Sequence, residues 1–447
     1  MRGQIMRWQP THAHVRVLVV AAAMLVIAVL ARRPDAAVLG LPLAFVAVWG
    51  RFFRPRAEPE VHTELDADVL FEGQATTYRM HVPSTVDPEI DLIVAALPRS
   101  KWFDYAPRQA AVAEPVRPQA SEGDDVPDAV ELEVGVRSKR WGLRALERPT
   151  VVATSVLGSY RIQVTSAKAL AVTTLPLREG FEAVDAMPRP AGLVGLHRSR
   201  RPGEGTELAG VRPFRTGDRL RRINWSVSAR TRELHVTSTW SDRDTEVVIL
   251  LDTGGEIGIS EGIDGRSSSL DTGVRAAASI AEHYLRHGDR VRLVDTGNLV
   301  RGVRSGSGRG HLRRILDALV HADRRGRQPD QDQLAQRNRI KSDSLVLVLS
   351  PLLRQVVLGY VVTLVHSGCT VIAVDTLPPD IDSLIDLDEH DHRAWPLAWR
   401  LRLLERRREL DRLGDLGVPT VPWRGSGTLD EVLRDAARLA SAPRMRS

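Results

Sequence analysis

Two uncharged apolar runs, Val17–Ala31 and Ala36–Gly50, stand only four residues apart near the amino terminus, and they constrain this chain more than any other feature. Fifteen residues of helix reach about 22 Å, against a hydrocarbon core of roughly 30 Å. Each run therefore spans a bilayer only if its ends extend and Arg16 and Arg51 snorkel. Trp8, Trp49, Phe52 and Phe53 would then lie at the interface, where aromatic rings are favoured. A signal peptide has no reason to be followed at once by a second apolar run. A soluble core hairpin would show a polar stripe, and neither run has one. The reading is a transmembrane helical hairpin over residues 1–56.

Arg2, Arg7 and Arg16 precede the hairpin and Arg51, Arg54 and Arg56 follow it, whereas only Arg32 and Arg33 lie in its turn. By the positive-inside rule both ends, and so the remainder of the chain, are expected on the cytoplasmic face of the cell membrane. The single cysteine, Cys369, excludes an intrachain disulfide and a multi-cysteine metal site, which suits a reducing compartment.

From about residue 58 the hydrophobic period becomes two. Tyr78, Met80 and Val82 alternate with polar residues, as do Val130, Leu132, Val134 and Val136. With further strand-like pieces at Ile90–Leu97, Thr150–Ser155, Tyr160–Val164 and Ala169–Leu175, this predicts a small β-sandwich over 58–180. Arg108–Asp128, rich in proline, alanine and acidic residues, reads as a mobile loop within it.

Beyond residue 240 continuous apolar strands alternate with helices. Thr245–Leu251, Arg290–Val294, Ser344–Leu349 and Thr370–Val374 end at Asp252, Asp295, Ser350 and Asp375. Helices are expected at Asp271–His287, His311–Val320, Gln355–His366 and Pro396–Leu413, with a last one opening on the capping box from Thr428. This pattern predicts an α/β domain over 241–442 with a mostly parallel sheet covered on both faces. Ligands of such sheets sit beyond the carboxyl ends of the strands, where these aspartates fall.

Between the two lies an arginine-rich connector over 190–240. Within it Asp218 is placed to cap a helix running to about Arg230, with Leu220, Ile223 and Val227 as the apolar stripe that packs inward. Glu233–Trp240 and Glu246–Leu251 read as neighbouring strands joined by the polar turn Ser241–Asp244.

The stretch Gly195–Arg230, GLHRSRRPGEGTELAGVRPFRTGDRLRRINWSVSAR, resembles the signature of the domain of unknown function 58 family. The likeness is carried by His197, Arg198, Arg200, Gly203, Gly205, Glu207, Arg212, Phe214, Gly217, Asp218, Arg222, Ile223, Asn224, Trp225, Ala229 and Arg230. The resemblance implies a bacterial membrane-associated protein with a von Willebrand factor A-like α/β domain. It also implies work as an adaptor beside a MoxR-type AAA+ ATPase in assembling or maturing other proteins. Many von Willebrand A domains hold magnesium through Asp-x-Ser-x-Ser; here the matching stretch is Asp252-Thr253-Gly254-Gly255-Glu256, in which only the aspartate survives. Glycine offers no side-chain oxygen and glutamate is larger and charged, so no metal or other cofactor is expected.

Three functions compete. The first is a non-catalytic, membrane-tethered interaction protein in which arginines pair with Asp218, Glu204 and Glu207, and arginine beside Trp225 anchors a partner. The second is nucleic-acid binding through 197–232, which holds ten arginines against three acids. The glycines, the Gly-Asp turn and the apolar stripe describe a fixed connector rather than a loose basic face, so no nucleic-acid partner is expected. The third is a metal-dependent ligand binder, through Asp252 or through Asp386–His392, whose spacing better suits a solvated acidic loop. Ser305–Gly310 opens a helix and could hold an anion, but it lacks the Lys-Ser/Thr of a P-loop. No Ser/His/Asp or Cys/His spacing marks a nucleophile, so no enzyme activity is expected.

Overall fold

The computed structural model describes residues 7–56, 59–83, 90–107, 111–113, 129–165, 169–178, 202–215, 218, 220–240, 246–297, 302–322, 330–342, 344–379 and 395–425. The chain divides into two compact units, Met1–Leu175 and Pro176–Ser447.

The first unit opens with two helices of 19 residues, α1 (His12–Leu30) and α2 (Pro34–Phe52). Each is long and apolar enough to cross a membrane. They are longer than the uncharged runs because Thr11 caps α1, its hydroxyl accepting from the His14 amide at 3.2 Å, and Pro34 starts α2 at a position that needs no donor. Small residues face inward: Ala21, Ala47, Gly40 and Gly50 are buried, while Val19, Leu30, Val38, Phe45 and Phe52 are exposed. A Cβ on Gly40 would stand 3.0 Å from the Met24 Cβ, so the helices approach closely there. Large side chains outward and small ones between helices is the arrangement expected when the solvent is lipid.

The rest of this unit is β structure. One antiparallel sheet runs β1 (Gln9–Pro10), β11 (Tyr160–Thr165), β10 (Thr150–Ser155), β5 (Ile90–Ala96), β7 (Ala111–Ala113). A second runs β2 (His62–Leu65), β4 (Ala75–Pro83), β8 (Ala129–Ser138), β6 (Phe103–Ala106). A third joins β3 (Val69–Phe71), β12 (Ala171–Leu175) and β9 (Gly142–Ala145). Tyr78, Met80 and Val82 from one sheet meet Ile93, Val151 and Ile162 from another in a shared core, as their period-two spacing requires. β7 interrupts the stretch read as a loop; residues 114–128 lie outside those described. Trp8 joins this core, and Thr11 donates to the Gly158 carbonyl at 2.7 Å, so the hairpin grows directly out of the β module.

The second unit holds a six-stranded sheet in the order β17 (Val303–Gly306), β16 (Arg290–Asp295), β15 (Glu246–Leu251), β18 (Leu345–Ser350), β19 (Thr370–Asp375), β20 (Thr420–Pro422). All pairings are parallel except that of the edge strand β17. Every residue of β15 and β18 is buried, which a strand covered on both faces demands. Helices α4 (Ser269–Arg286), α5 (Arg309–Val320), α6 (Gln331–Arg337), α7 (Gln355–His366) and α8 (Trp395–Asp415) alternate with these strands. Ser268 and Asp271 form a reciprocal capping box that starts α4. The expected capping box from Thr428 lies outside the described residues.

Apart from this sheet, β13 (Pro202–Pro213) and β14 (His235–Trp240) pair as an antiparallel ribbon, and α3 (Trp225–Thr231) lies between them in sequence. This corrects the expectation that β14 neighbours β15: the buried β15 has parallel partners on both sides, β16 and β18, and β14 takes the connector strand instead.

Burial beside His287 and Arg286 pulls the His283 imidazole on α4 down to about 4. The unfolded histidine titrates near 6.5, so between these values the unfolded chain binds more protons. Stability contributed above pH 6.5 is therefore lost as the pH falls toward 4. Unfolding free energies from urea curves at pH 7 and 4.5 should differ by about 1–2 kcal/mol more in the native chain than in a His283→Asn variant.

Candidate functional site

The connector and the carboxyl edge of the six-stranded sheet carry the described residues of the arginine-rich motif and the strand-end aspartates, whereas Gly306 of the Ser305–Gly310 stretch registers with Val291 near the amino end of β16. Arg198 and Arg200 lie outside the described residues. Gly203, Gly205 and Glu207 belong to the first half of β13, where Gly203 and Leu208 both register against Thr239, so residues 204–207 bulge from the ladder. Gly210 then takes φ +145°, a conformation that a side chain disfavours.

Arg212, at the end of β13, forms a two-pronged pair with Asp218: Nη1 donates to Oδ2 at 2.7 Å and Nη2 to Oδ1 at 2.6 Å. The Arg215 amide adds a third donor to Oδ2 at 2.8 Å. Together they hold the Asp218 carboxyl down to about 2. The clamp therefore survives acidification until the pH falls through that value, and its contribution is fully present above the unfolded value of about 4. An Arg212→Lys exchange keeps the charge and removes the fork, so the Asp218 carboxyl should titrate at least half a unit higher. NMR titration of the side-chain carboxyl reads this directly.

Asp218 does not cap the helix as expected. A short 3-10 turn, Leu220–Arg222, intervenes, and Asn224 caps α3 with its Oδ1 accepting from the Val227 amide at 3.2 Å. The expected inward stripe is also only partly realised: Ile223 is buried and bridges Val236 of β14, whereas Leu220 is 71% exposed. Asp218 is drawn to the stronger charged donor, which leaves its residue outside the helix and turns the first apolar position outward. Trp225 is 68% exposed on the first turn of α3. Arg222 ends the 3-10 turn, and Arg230 donates to the Ser226 hydroxyl one turn back at 3.1 Å. The connector thus presents Trp225, Leu220 and Leu234 to the outside around an internally clamped ribbon.

At the sheet edge, Asp252 follows the last residue of β15 and Ser350 ends β18, the neighbouring strand. From β15 the chain passes to β16 on one side and later returns to β18 on the other. This is the switch point where an open parallel sheet makes a crevice. The buried Asp252 carboxylate is fully engaged there. Oδ1 accepts from Arg354 Nη1 at 2.7 Å and from the Thr296 hydroxyl at 3.1 Å; Oδ2 accepts from Ser350 Oγ at 2.7 Å. A Cβ at Gly254 would collide with the Arg354 guanidinium, so the group lies where a side chain at that position would project. Glu256 accepts instead from Ser268 Oγ at 2.6 Å, beside the α4 cap. Asp295 takes the Thr253 hydroxyl and the Gly297 amide, and Asp375 pairs with Arg406 of α8. Among the described residues no three His, Cys, Asp or Glu side chains gather as a metal-ligand group, and Asp386–His392 lies outside them.

Arg354 was not visible in the sequence as a site residue. It stands 102 positions from Asp252, and only the adjacency of β15 and β18 brings the two together.

These features define a class: an α/β unit with a mixed, mostly parallel sheet, joined to an arginine-clamped ribbon and carried in a chain with two membrane-competent helices. Residues 210–386 match the family model described as Protein of unknown function DUF58. The match begins within the arginine-rich motif, so Arg212 through Arg230 fall inside it. An uncharacterized protein of Mycobacterium bovis and one of Mycobacterium tuberculosis are each 30% identical to the chain over 129 residues, which is 29% of this chain. The chain covers 40% of the length of these relatives.

Proposed function

We propose that this chain is a membrane-tethered, non-catalytic interaction protein that uses the clamped ribbon and α3 to engage a MoxR-type AAA+ ATPase in assembly or maturation of other proteins. The observation that carries this reading is Trp225, 68% exposed beside a ribbon whose Arg212–Asp218 charges are paired internally. An indole held in water by a fixed scaffold is the type of group on which protein interfaces concentrate their energy.

The six-stranded unit is read as a von Willebrand factor A-like domain whose Asp252 position no longer serves an ion. Its residues do not fit the magnesium that the resemblance implies. The Asp252 oxygens are spent on Arg354, Thr296 and Ser350, Gly254 has no side-chain oxygen, and Glu256 is turned to Ser268. The guanidinium supplies at the carboxylate the positive charge that an ion would bring. The chain is placed at the cytoplasmic membrane with its larger part inside, supported by the six arginines flanking the hairpin against two in its turn.

Affinity purification of the full chain from detergent-solubilised membranes tests the reading. Recovery of a MoxR-type ATPase, with no nucleic acid retained after a moderate salt wash, is the expected outcome. Salt-sensitive retention of nucleic acid without any ATPase would contradict it and support the basic-surface alternative.

A further inference from the structure

The hairpin's open end contains a cavity of about 400 Å³ that the interaction role leaves unused. Its wall includes Arg7 before α1 and Arg51, Arg54 and Arg56 at and after the end of α2, together with Trp8 and Phe52. Among the described residues no acidic side chain lines it. Four arginines line one concave space, and the carboxyl end of α2 offsets their charge by only about half a unit. The site is therefore strongly cationic, and it is built rather than incidental. Arg54 lies over the Tyr160 ring at 5.5 Å, and Trp8 is rooted in the β core.

Arginine's forked donors match phosphate oxygens two at a time. The depth of the cavity selects the source of that phosphate. Helices of 19 residues reach roughly 28 Å, close to the thickness of a hydrocarbon core, so their ends lie at headgroup level. Phe52 is exposed there, and Trp49 and Phe53 pack beside it with ring centroids 5.2 Å apart, forming an aromatic collar suited to that boundary. We propose that this cavity seats the phosphate of an anionic lipid headgroup, fixing the hairpin's depth and orientation against the β module.

Native mass spectrometry of the full chain in neutral detergent, titrated with phosphatidylglycerol, phosphatidylcholine or inorganic phosphate, tests this. Phosphatidylglycerol should bind in preference to phosphatidylcholine, and millimolar inorganic phosphate should leave it bound. Each arginine near an anionic surface contributes roughly fivefold in affinity, so Arg51→Gln/Arg54→Gln should weaken binding about thirtyfold. The single exchange at the exposed Arg51 should weaken it roughly fivefold without touching the Tyr160 contact. Arg32→Gln/Arg33→Gln, at the opposite end of the hairpin, should leave binding unchanged. Equal affinity for phosphatidylcholine, or an equal loss from the Arg32/Arg33 variant, would overturn the proposal. Displacement by inorganic phosphate would reassign the cavity to a soluble phosphate and overturn the lipid assignment.

Discussion

Replacing Arg354 with alanine should lower the stability of the second unit by about 3–5 kcal/mol, the usual cost of leaving a buried charge without its partner. The cause is local. The Asp252 carboxylate is wholly buried, and Arg354 supplies its one cationic contact among the described residues at 2.7 Å. For a unit of this size the melting temperature should fall by on the order of 10 °C. Asp252→Asn together with Arg354→Met should recover most of that loss, since removing both charges ends the need for either. The carboxamide introduced by Asp252→Asn would keep an oxygen for one of the Ser350 and Thr296 hydroxyls, which now donate to separate aspartate oxygens at 2.7 and 3.1 Å, and its amide nitrogen would donate to the other. The coupling energy from this double-mutant cycle measures the pair itself. Magnesium should leave the melting temperature of the native chain unchanged; a rise of several degrees would mean that the ion displaces the arginine.

Trp225→Ala combined with Leu220→Ala should weaken binding to the proposed ATPase partner by about 2 kcal/mol or more, roughly thirtyfold, with the melting temperature almost unmoved. Both side chains are more than two-thirds exposed, so their removal opens no cavity in the folded chain. Binding and stability separate cleanly here. Loss of both together would point to a structural role for the indole, and retention of binding would move the interface elsewhere.

Much of the architecture could be read from the sequence because burial imposes its own period. The alternation at Tyr78, Met80 and Val82 requires a strand with one covered face, and Val247–Leu251 requires a strand covered on both. The two apolar runs were legible for the same reason, although Thr11 and Pro34 extend their helices beyond the uncharged residues. Asp218 was harder. A capping role and an ion pair both satisfy its carboxylate, and only the turn of the chain after Arg212 decides for the pair. That choice shortens α3 and turns Leu220 outward, so the connector presents both Leu220 and Trp225 to the outside. Arg354 lay beyond sequence reasoning altogether. Its role comes from sheet order, a long-range property that no local spacing encodes.

The account rests on a division of labour: the crevice at Asp252 is closed by its own arginine, and contact with other proteins is made through the ribbon and α3. Hydrogen exchange of the full chain, with and without the co-purified ATPase, tests that division most directly. The account predicts new protection across residues 211–235, with no change at 252–256 and 350–354. Protection at the latter segments, with the ribbon unaffected, would contradict it and return the ligand to the sheet edge.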